Sequence, residues 1–167
     1  MLTCCKRNLF FLSSLMDIDS PNRIGLDSFW AYQVVVLADQ ISRHTLDVVR
    51  TEADLNLSQW RVLAAIADKP GRSSAEVTSV TPMDKTIVSR AVSSLLKLNM
   101  IKRTPSEYDK RVAALEMTEL GAERYALIST KLKETLNAEN LSGADTADFT
   151  KAVKHFRKHM SGLQAQT

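Results

Sequence analysis

Residues 83–96 read MDKTIVSRAVSSLL and predict a helix with one apolar face and one short polar face. Apolar side chains recur there at three- and four-residue spacing, which is the pattern of a stripe packed on a core. The stripe consists of Ile87, Val88, Ala91, Val92, Leu95, Leu96 and Leu98. The polar positions near the start of the helix are Lys85, Thr86, Ser89 and Arg90. Such side chains at this end of a helix are typical of contacts to base edges and phosphates in a DNA groove.

Two starts are open for this helix. Thr81 could be the cap, because Pro82 follows at the first helical position and Asp84 stands three residues after Thr81. Asp84 could also be the cap itself. Either start leaves the polar face near the amino-terminal end of the helix.

A second helix start lies upstream, at Ser73-Ser74-Ala75-Glu76. This stretch matches the S-x-x-E capping box and predicts a short helix that ends at about Ser79. Two helices joined by so tight a turn form a helix-turn-helix. Ser73 and Ser74 are counted among the candidate DNA-binding residues.

Downstream of the second helix the period of the sequence changes. Residues 101–104 and 112–117 predict two short strands around a polar loop, residues 105–111. A helix-turn-helix followed by such a hairpin has the layout of a winged helix. The candidate DNA-binding residues of the hairpin are Arg103, Lys110 and Arg111.

The segment from Leu57 to Gly121 resembles the MarR family of winged-helix transcription regulators. The resemblance is carried by LSQWRVL (57–63), MDKTIVSR (83–90), DKR (109–111) and LEMTELG (115–121). It implies a mainly α fold, in which a winged helix-turn-helix with a two-stranded β-wing is flanked by N- and C-terminal dimerisation helices. It also implies a homodimer that binds a pseudo-palindromic operator in double-stranded DNA and acts as a repressor.

The wing has its own match to the family. Asp109 and Arg111 stand where the family has an Asp-x-Arg motif, with Lys110 in place of the commoner arginine between them. The resemblance implies that Lys110 and Arg111 reach the minor groove, where narrow AT-rich segments attract a guanidinium. Asp109 is expected to orient a neighbouring arginine, because phosphates would repel its carboxylate.

A small effector is a further expectation from the resemblance. Members of the family are commonly regulated by a small, often aromatic acid that binds between the dimer helices and the reading lobe, so we expect a small aromatic or phenolic effector. Trp30 and Trp60 are the candidate residues of an effector pocket. Trp60 stands at helical spacing with Leu63 and also suits a place in the core.

The charge of the chain is unevenly distributed. The whole chain has a formal net charge of +3. From Ser58 to Arg111 there are ten Lys or Arg against five Asp or Glu, a net of +5, which leaves −2 for the remainder. Positive charge concentrated on the predicted reading lobe is expected for a protein that contacts phosphates. Lys69 and Lys97, each considered by itself, could equally be ordinary solvated surface lysines without a role in phosphate contact.

The chain is predicted to have four segments, two of which are helical flanks. The predicted segments are an N-terminal tail (1–25), an N-terminal dimerisation helix (26–56), the winged-helix lobe (57–118) and the C-terminal helices that complete the dimer interface (119–167). The N-terminal helix is expected to run from Leu26, with a cap near Asp27 or Ser28, to about Arg50. The tail is expected to be disordered or to precede the true start, for which Met16 is an alternative.

The flanking helices predict a dimer interface. Their apolar side chains exceed what a small winged-helix lobe can cover, although simple packing of the terminal helix on its own chain is the alternative. The candidate interface residues are Phe29, Tyr32, Val36, Phe149, Val153, Phe156 and Met160.

The start of the chain offers little evidence of export. The apolar run after Lys6 and Arg7 is short and has no cleavage site after it, so neither a secretory signal nor a membrane span is expected. Cys4 and Cys5 are adjacent and poorly placed to bridge each other. A cytoplasmic location is the expectation, and no membrane partner is predicted.

Several other function classes are disfavoured. His155 and His159 are four residues apart, but no Cys or carboxylate cluster accompanies them, so no metal site is predicted. No nucleophile elbow or phosphate-binding glycine loop occurs, so we predict no enzyme activity and no cofactor. The alternatives are a winged-helix module that binds proteins without specific DNA binding, and a small enzyme or stress-related binding protein that uses a pocket between helices.

Overall fold

The computed structural model describes residues 24–105, 113–136 and 143–164. The described elements are, in chain order, α1 (Trp30–Ala53), α2 (Leu57–Asp68), α3 (Ser74–Val80), α4 (Lys85–Lys97), β1 (Ile101–Pro105), β2 (Ala113–Met117), α5 (Glu119–Leu136) and α6 (Gly143–Gln164). The two strands form one antiparallel sheet. The predicted fold class, mainly helical with a two-stranded wing, is confirmed. None of the helices in these ranges is both long enough and apolar enough to span a bilayer.

The chain divides into two compact units after His44, within α1. In the first unit, residues 26–28 form a turn and not the predicted first turn of the helix. The Ser28 Oγ donates a hydrogen bond to the Gly25 carbonyl oxygen (3.2 Å), so this hydroxyl does not act as a helix cap. The predicted start at Leu26 was therefore wrong: α1 begins at Trp30 and continues three residues beyond Arg50.

The second unit has a hydrophobic core to which most of its elements contribute. Its largest fully buried side chains are Leu55, Leu63, Ile66, Leu95, Leu115, Ile128, Val49, Val62, Val77, Val88 and Val92. The predicted stripe of α4 is buried at Val88, Ala91, Val92 and Leu95. Ile87 and Leu98 are 40% and 43% exposed, so the prediction that these two belong to the stripe was wrong.

Local hydrogen bonds define the ends of the helix-turn-helix. The capping box predicted for α3 is confirmed: the Ser73 Oγ accepts from the Glu76 backbone N (3.2 Å), and the Ser73 N donates to Glu76 Oε2 (2.8 Å). Of the two starts considered for α4, Asp84 is confirmed, since its Oδ1 accepts from the Ile87 N (2.8 Å). Thr81 terminates α3 instead, with its Oγ1 donating to the Val77 carbonyl oxygen (2.8 Å).

The hairpin is close to the prediction. β1 and β2 pair from Ile101 opposite Met117 to Pro105 opposite Ala113, so β1 is one residue longer than expected, whereas Val112, the predicted first residue of β2, lies outside the described residues. The predicted wing residues Asp109, Lys110 and Arg111 lie outside the described residues.

The hairpin is also joined to the loop that precedes α3. The Leu115 N donates to the Arg72 carbonyl oxygen (2.9 Å), and the Gly71 N donates to the Leu115 carbonyl oxygen (3.2 Å). Backbone hydrogen bonds of this kind fix the position of the wing relative to the helix-turn-helix.

Candidate nucleic-acid interface

The outward face of α4 is polar along its whole length. Lys85, Thr86, Ser89 and Arg90, the four residues predicted to contact DNA, are all exposed. At 100° per residue, Ser93 lies on the same face, one turn after Ser89. Ser93 was not among the residues predicted from the sequence to contact DNA. The four-residue spacing from Ser89 is the signal that could have identified it.

Cations of the lobe differ in whether they are already paired. The Arg72 side chain is only 12% exposed and forms an ion pair with Asp68 (2.7 Å), and Lys69 lies 3.9 Å from Glu76. Within the described residues, Lys85 and Arg90 form no ion pair. The α4 cations are thus available to a polyanion, whereas Arg72 serves the internal structure of the lobe.

The two serines at the start of α3 are placed differently. Ser73 is only 8% exposed, and its hydroxyl both caps the helix and donates to Glu76 Oε2 (2.9 Å). Two hydrogen bonds to the Glu76 carboxylate lower its pKa. The larger effect comes from the Ser73 backbone N–H and the smaller from the Ser73 hydroxyl. Ser74 is half-buried. Ser73 therefore has a capping role, and of the pair Ser74 is the one with more surface for an outside partner.

Arg103 is an exposed cation on β1. It forms no ion pair within the described residues, in contrast to its neighbour Lys102, which lies 3.1 Å from Glu116. Hydrogen bonds from Lys102 and Thr104 lower the pKa of the Glu116 carboxyl. They therefore favour the charged form of Glu116, which pairs with Lys102. Arg103 thus remains available for contact with DNA.

The two tryptophans lie in different units. Trp60 is half-buried, packs against the core and stacks on Tyr125, with ring centroids 5.3 Å apart and an interplanar angle of 17°. Trp30, in the first unit, is 49% exposed, and its ring centroid is 6.5 Å from that of Phe29. Trp60 therefore takes part in core packing, as its spacing in α2 had allowed.

An open cleft of about 600 Å³ lies along one flank of α4. Its walls come from three separate segments, the end of α1, the start of α2 and α4 itself. Arg50, Ser58 and Ile87 are among the lining residues, together with Arg90. No local sequence pattern predicts this cleft, because its walls are far apart along the chain.

The predicted dimer residues are exposed or half-buried. Phe29, Tyr32, Phe149, Phe156 and Met160 are between 38% and 51% exposed. Val36 and Val153 are half-buried. The described part of α6 contains no buried residue, although it carries a stripe of large apolar side chains.

The described residues contain no group of three or more His, Cys, Asp or Glu side chains arranged to hold a metal ion. His155 and His159 both line a shallow depression on α6, together with Lys158 and Leu163.

Comparison with known proteins finds a family whose sequence model is similar to the lobe. Residues 53–112 match the sequence model of the MarR family. The uncharacterized HTH-type transcriptional regulator YybA of Bacillus subtilis (strain 168) is 29% identical over 77 residues, which are 46% of this chain and 51% of that protein. The match thus spans about half the length of this relative.

Solved structures share the fold over most of the chain. A MarR/EmrR family transcriptional regulator from Acinetobacter sp. ADP1 has a TM-score of 0.72 and 22% identity, over 83% of this chain and 99% of its own. A MarR mutant from E. coli, complexed with operator DNA, has a TM-score of 0.64 and 19% identity, over 75% and 91%. Staphylococcus aureus MarR in complex with salicylate and kanamycin has a TM-score of 0.70 and 16% identity, over 82% and 93%.

Proposed function

We propose that this chain is a transcriptional regulator of the MarR family and that it acts as a homodimeric repressor that binds double-stranded DNA. The observation that carries the proposal is the outward face of α4. It presents Lys85, Thr86, Ser89 and Arg90 to solvent without an ion pair to any described residue, on a helix whose start is capped by Asp84.

In the proposed complex, the amino-terminal half of α4 enters the major groove. Arg90 and Lys85 contact bases or phosphates, and the hydroxyls of Thr86 and Ser89 lie close to the base edges. Ser74 and Arg103 add contacts to the sugar–phosphate backbone. Ser73 acts through the cap that it forms on α3.

The wing completes the contact on each half-site. We propose that Lys110 and Arg111 reach the adjacent minor groove and that Asp109 orients a neighbouring arginine. Narrow minor grooves have enhanced negative potential, which favours these cations.

The dimer is supported by apolar surface that the single chain leaves exposed. A protein in water rarely leaves a continuous stripe of apolar side chains exposed to solvent. We propose that a second copy of the chain buries this surface. The proposed interface residues are Phe29, Tyr32, Val36, Phe149, Val153, Phe156 and Met160. The operator is then a pseudo-palindrome with half-site centres roughly 34–36 Å apart, so that both α4 helices enter successive major grooves on one face of the duplex.

The S. aureus relative contains salicylate, which motivates an effector for this chain. We propose that a small aromatic or phenolic compound releases the protein from its operator, and Trp30 and Trp60 are two separate candidate contacts. Salicylate itself is the first probe, and a fall in operator affinity that follows its concentration is the expected result. We further place the protein in the cytoplasm, where its operator would be.

The test of DNA binding is its dependence on salt. The purified protein is titrated onto DNA recovered by selection from a random pool, at several salt concentrations. The logarithm of the affinity should fall with the logarithm of the salt concentration, with a slope of about −0.9 for each phosphate contacted. Inserting half a helical turn between the half-sites should abolish tight binding. A slope near zero would favour the alternative, a winged helix that binds proteins.

A further inference from the structure

The cleft beside α4 adjoins the face that we assign to DNA. Around the helix, Arg90 lies between the outward residue Thr86 and the cleft residues Ile87 and Ser94. A helix in the major groove has a sugar–phosphate backbone along each flank. When the outward face of α4 meets the bases, the cleft therefore faces one of the two strands that border the groove.

The lining of the cleft has the chemistry of a sugar–phosphate unit. Arg50 and Arg90 are exposed and form no ion pair within the described residues. A guanidinium binds phosphate oxygens with two parallel N–H groups. Ser58 adds a hydroxyl, and Leu57 and Ile87 add apolar surface that suits the carbon face of a deoxyribose.

The α4 wall of the cleft is held by a hydrogen bond across the fold. The Gln59 Nε2 donates to Ser94 Oγ (2.8 Å), and Gln59 is only 6% exposed. Gln59 is also the partner of Asn56 in the capping box of α2. The start of α2 and the flank of α4 are thus fixed to one another, which keeps the cleft preformed.

We propose that this cleft receives one sugar–phosphate unit of the operator strand that borders the major groove, and that Arg50 binds its phosphate together with Arg90. The proposal rests on the proposed DNA-binding function and extends it. It adds the last turns of α1 to the DNA-binding surface, although the sequence analysis predicted only a dimerisation role for this helix.

A small anionic molecule is the competing occupant, and the shape of the cleft disfavours it. Pockets for small ligands enclose most of the ligand surface, on the order of 70–90%. This cleft is open along one side and only partly encloses what it holds. A DNA strand needs no such enclosure, because its neighbouring nucleotides are held elsewhere on the protein.

The test compares Arg50→Gln with a matched control, Arg43→Gln. Arg43 lies seven residues before Arg50 in α1, is not among the residues that line the cleft, and forms an ion pair with Asp39. Both variants and the wild type are titrated onto the selected operator across a range of salt. Arg50→Gln should lower the steepness of the salt dependence by up to about 0.9 per subunit, or about 1.8 per dimer, because Arg90 still contacts the same phosphate, and should weaken binding to all sequences alike. Arg43→Gln should behave as the wild type.

A second measurement locates the phosphate. Each phosphate of the operator is replaced in turn by a neutral methylphosphonate. One position per half-site, beside the major groove, should weaken binding of the wild type more than binding of Arg50→Gln, in which only Arg90 contacts that phosphate. If no position distinguishes the two proteins and their salt slopes agree, the proposal is overturned while the wild-type slope still supports DNA binding.

The small-molecule alternative has its own readout. Thermal unfolding is measured with and without benzoate for the wild type and for Arg50→Gln. A stabilisation by benzoate that Arg50→Gln removes, with unchanged salt slopes on DNA, would assign the cleft to a small anion and overturn the proposal. A wild type with no salt-dependent DNA binding would refute the proposed function itself.

Discussion

At the scale of single residues, Gly121 is the described glycine with the least room for an added Cβ. It lies in the first turn of α5, where its N donates to Thr118 Oγ1 (3.1 Å). The Thr118 N in turn donates to the Met100 carbonyl oxygen (3.0 Å), which brings the start of α5 against the end of α4. A Cβ at Gly121 would overlap that carbonyl oxygen and lie 2.9 Å from its carbon. Close backbone approach is the reason for glycine here.

We therefore expect Gly121→Ala to lower the free energy of unfolding by about 1–3 kcal/mol, because the backbone of Met100 would have to move. Gly162→Ala is the matched control, since Gly162 is also helical and a Cβ there would meet nothing within 4 Å. The control should be neutral or gain up to about 1 kcal/mol from helix propensity. Urea unfolding measures both, and a Gly121→Ala protein as stable as the control would contradict this account.

The residues of the outward face of α4 should determine sequence preference. Thr86→Ala and Ser89→Ala should change which bases are accepted in the core of the half-site, at about 1–3 kcal/mol for each contacted base pair. Arg103→Ala should lower affinity without changing that core, because a backbone contact carries no base information. Sequencing of DNA selected by each variant measures this. If Arg103→Ala changes the core and the α4 variants do not, the reading element has been assigned wrongly.

At the scale of elements, α4 is fixed at both ends by local hydrogen bonds. Its start is capped by Asp84. After its end, Asn99 adopts a left-handed conformation with φ of 54°, and the Met100 N donates to the Leu95 carbonyl oxygen (3.0 Å). This is the pattern of a Schellman motif, in which asparagine tolerates the left-handed position better than most residues. The proposed reading helix therefore has a defined length and direction before any DNA is present.

The capping box of α3 should make the stability of the lobe depend on pH. The pKa of Glu76 is lowered below its ordinary value of 4.5 by hydrogen bonds from Ser73. A carboxylate with a lowered folded-state pKa contributes stability that is fully present above the unfolded value. That contribution is lost as the pH falls below 4.5 through the folded value.

Glu76→Gln keeps an acceptor for the cap and removes the titrating charge. The stability advantage of the wild type over Glu76→Gln should be constant from pH 7 to about pH 5, and it should shrink in more acidic solution. Chemical denaturation of both proteins across this range measures the difference. An advantage that does not change on acidification would show that the cap does not depend on the charge of Glu76.

At the scale of the whole molecule, the proposed assembly depends on faces that the single chain does not cover. The apolar stripe of α6 includes Phe149, Phe156 and Met160, each at least 45% exposed. Lysines occupy the other side of the same helix, among them Lys158. A helix with this division of its surface is expected to bury the apolar side against a partner.

Phe156→Glu combined with Val153→Glu should release monomers, because two charges would be placed in the apolar interface. Operator affinity should then fall far more than any local effect could explain, since the gain from two linked half-site contacts would be lost. Lys158→Glu, on the opposite side of α6, is the control and should leave the dimer intact. Light scattering after size-exclusion chromatography gives the mass of each variant. A doubly substituted protein that remains a dimer would remove α6 from the interface.

The sequence by itself determined the features that depend on neighbours a few residues apart. The capping box at Ser73, the strands of the hairpin and the buried stripe from Val88 to Leu95 were all predicted, because hydrogen bonds and periodicity of this range are written directly in the chain. The four outward residues of α4 followed from the same periodicity.

Tertiary structure decided what depends on segments far apart in the chain. It chose Asp84 over Thr81 as the cap, where local sequence allowed both, and Met83 between them is buried in the core. It left Ile87 half-exposed at the edge of a cleft whose other walls come from α1 and α2. The physical reason is that the burial of a side chain depends on which segments the folded chain brings together. A short stretch of sequence determines only which of its own side chains are apolar or polar.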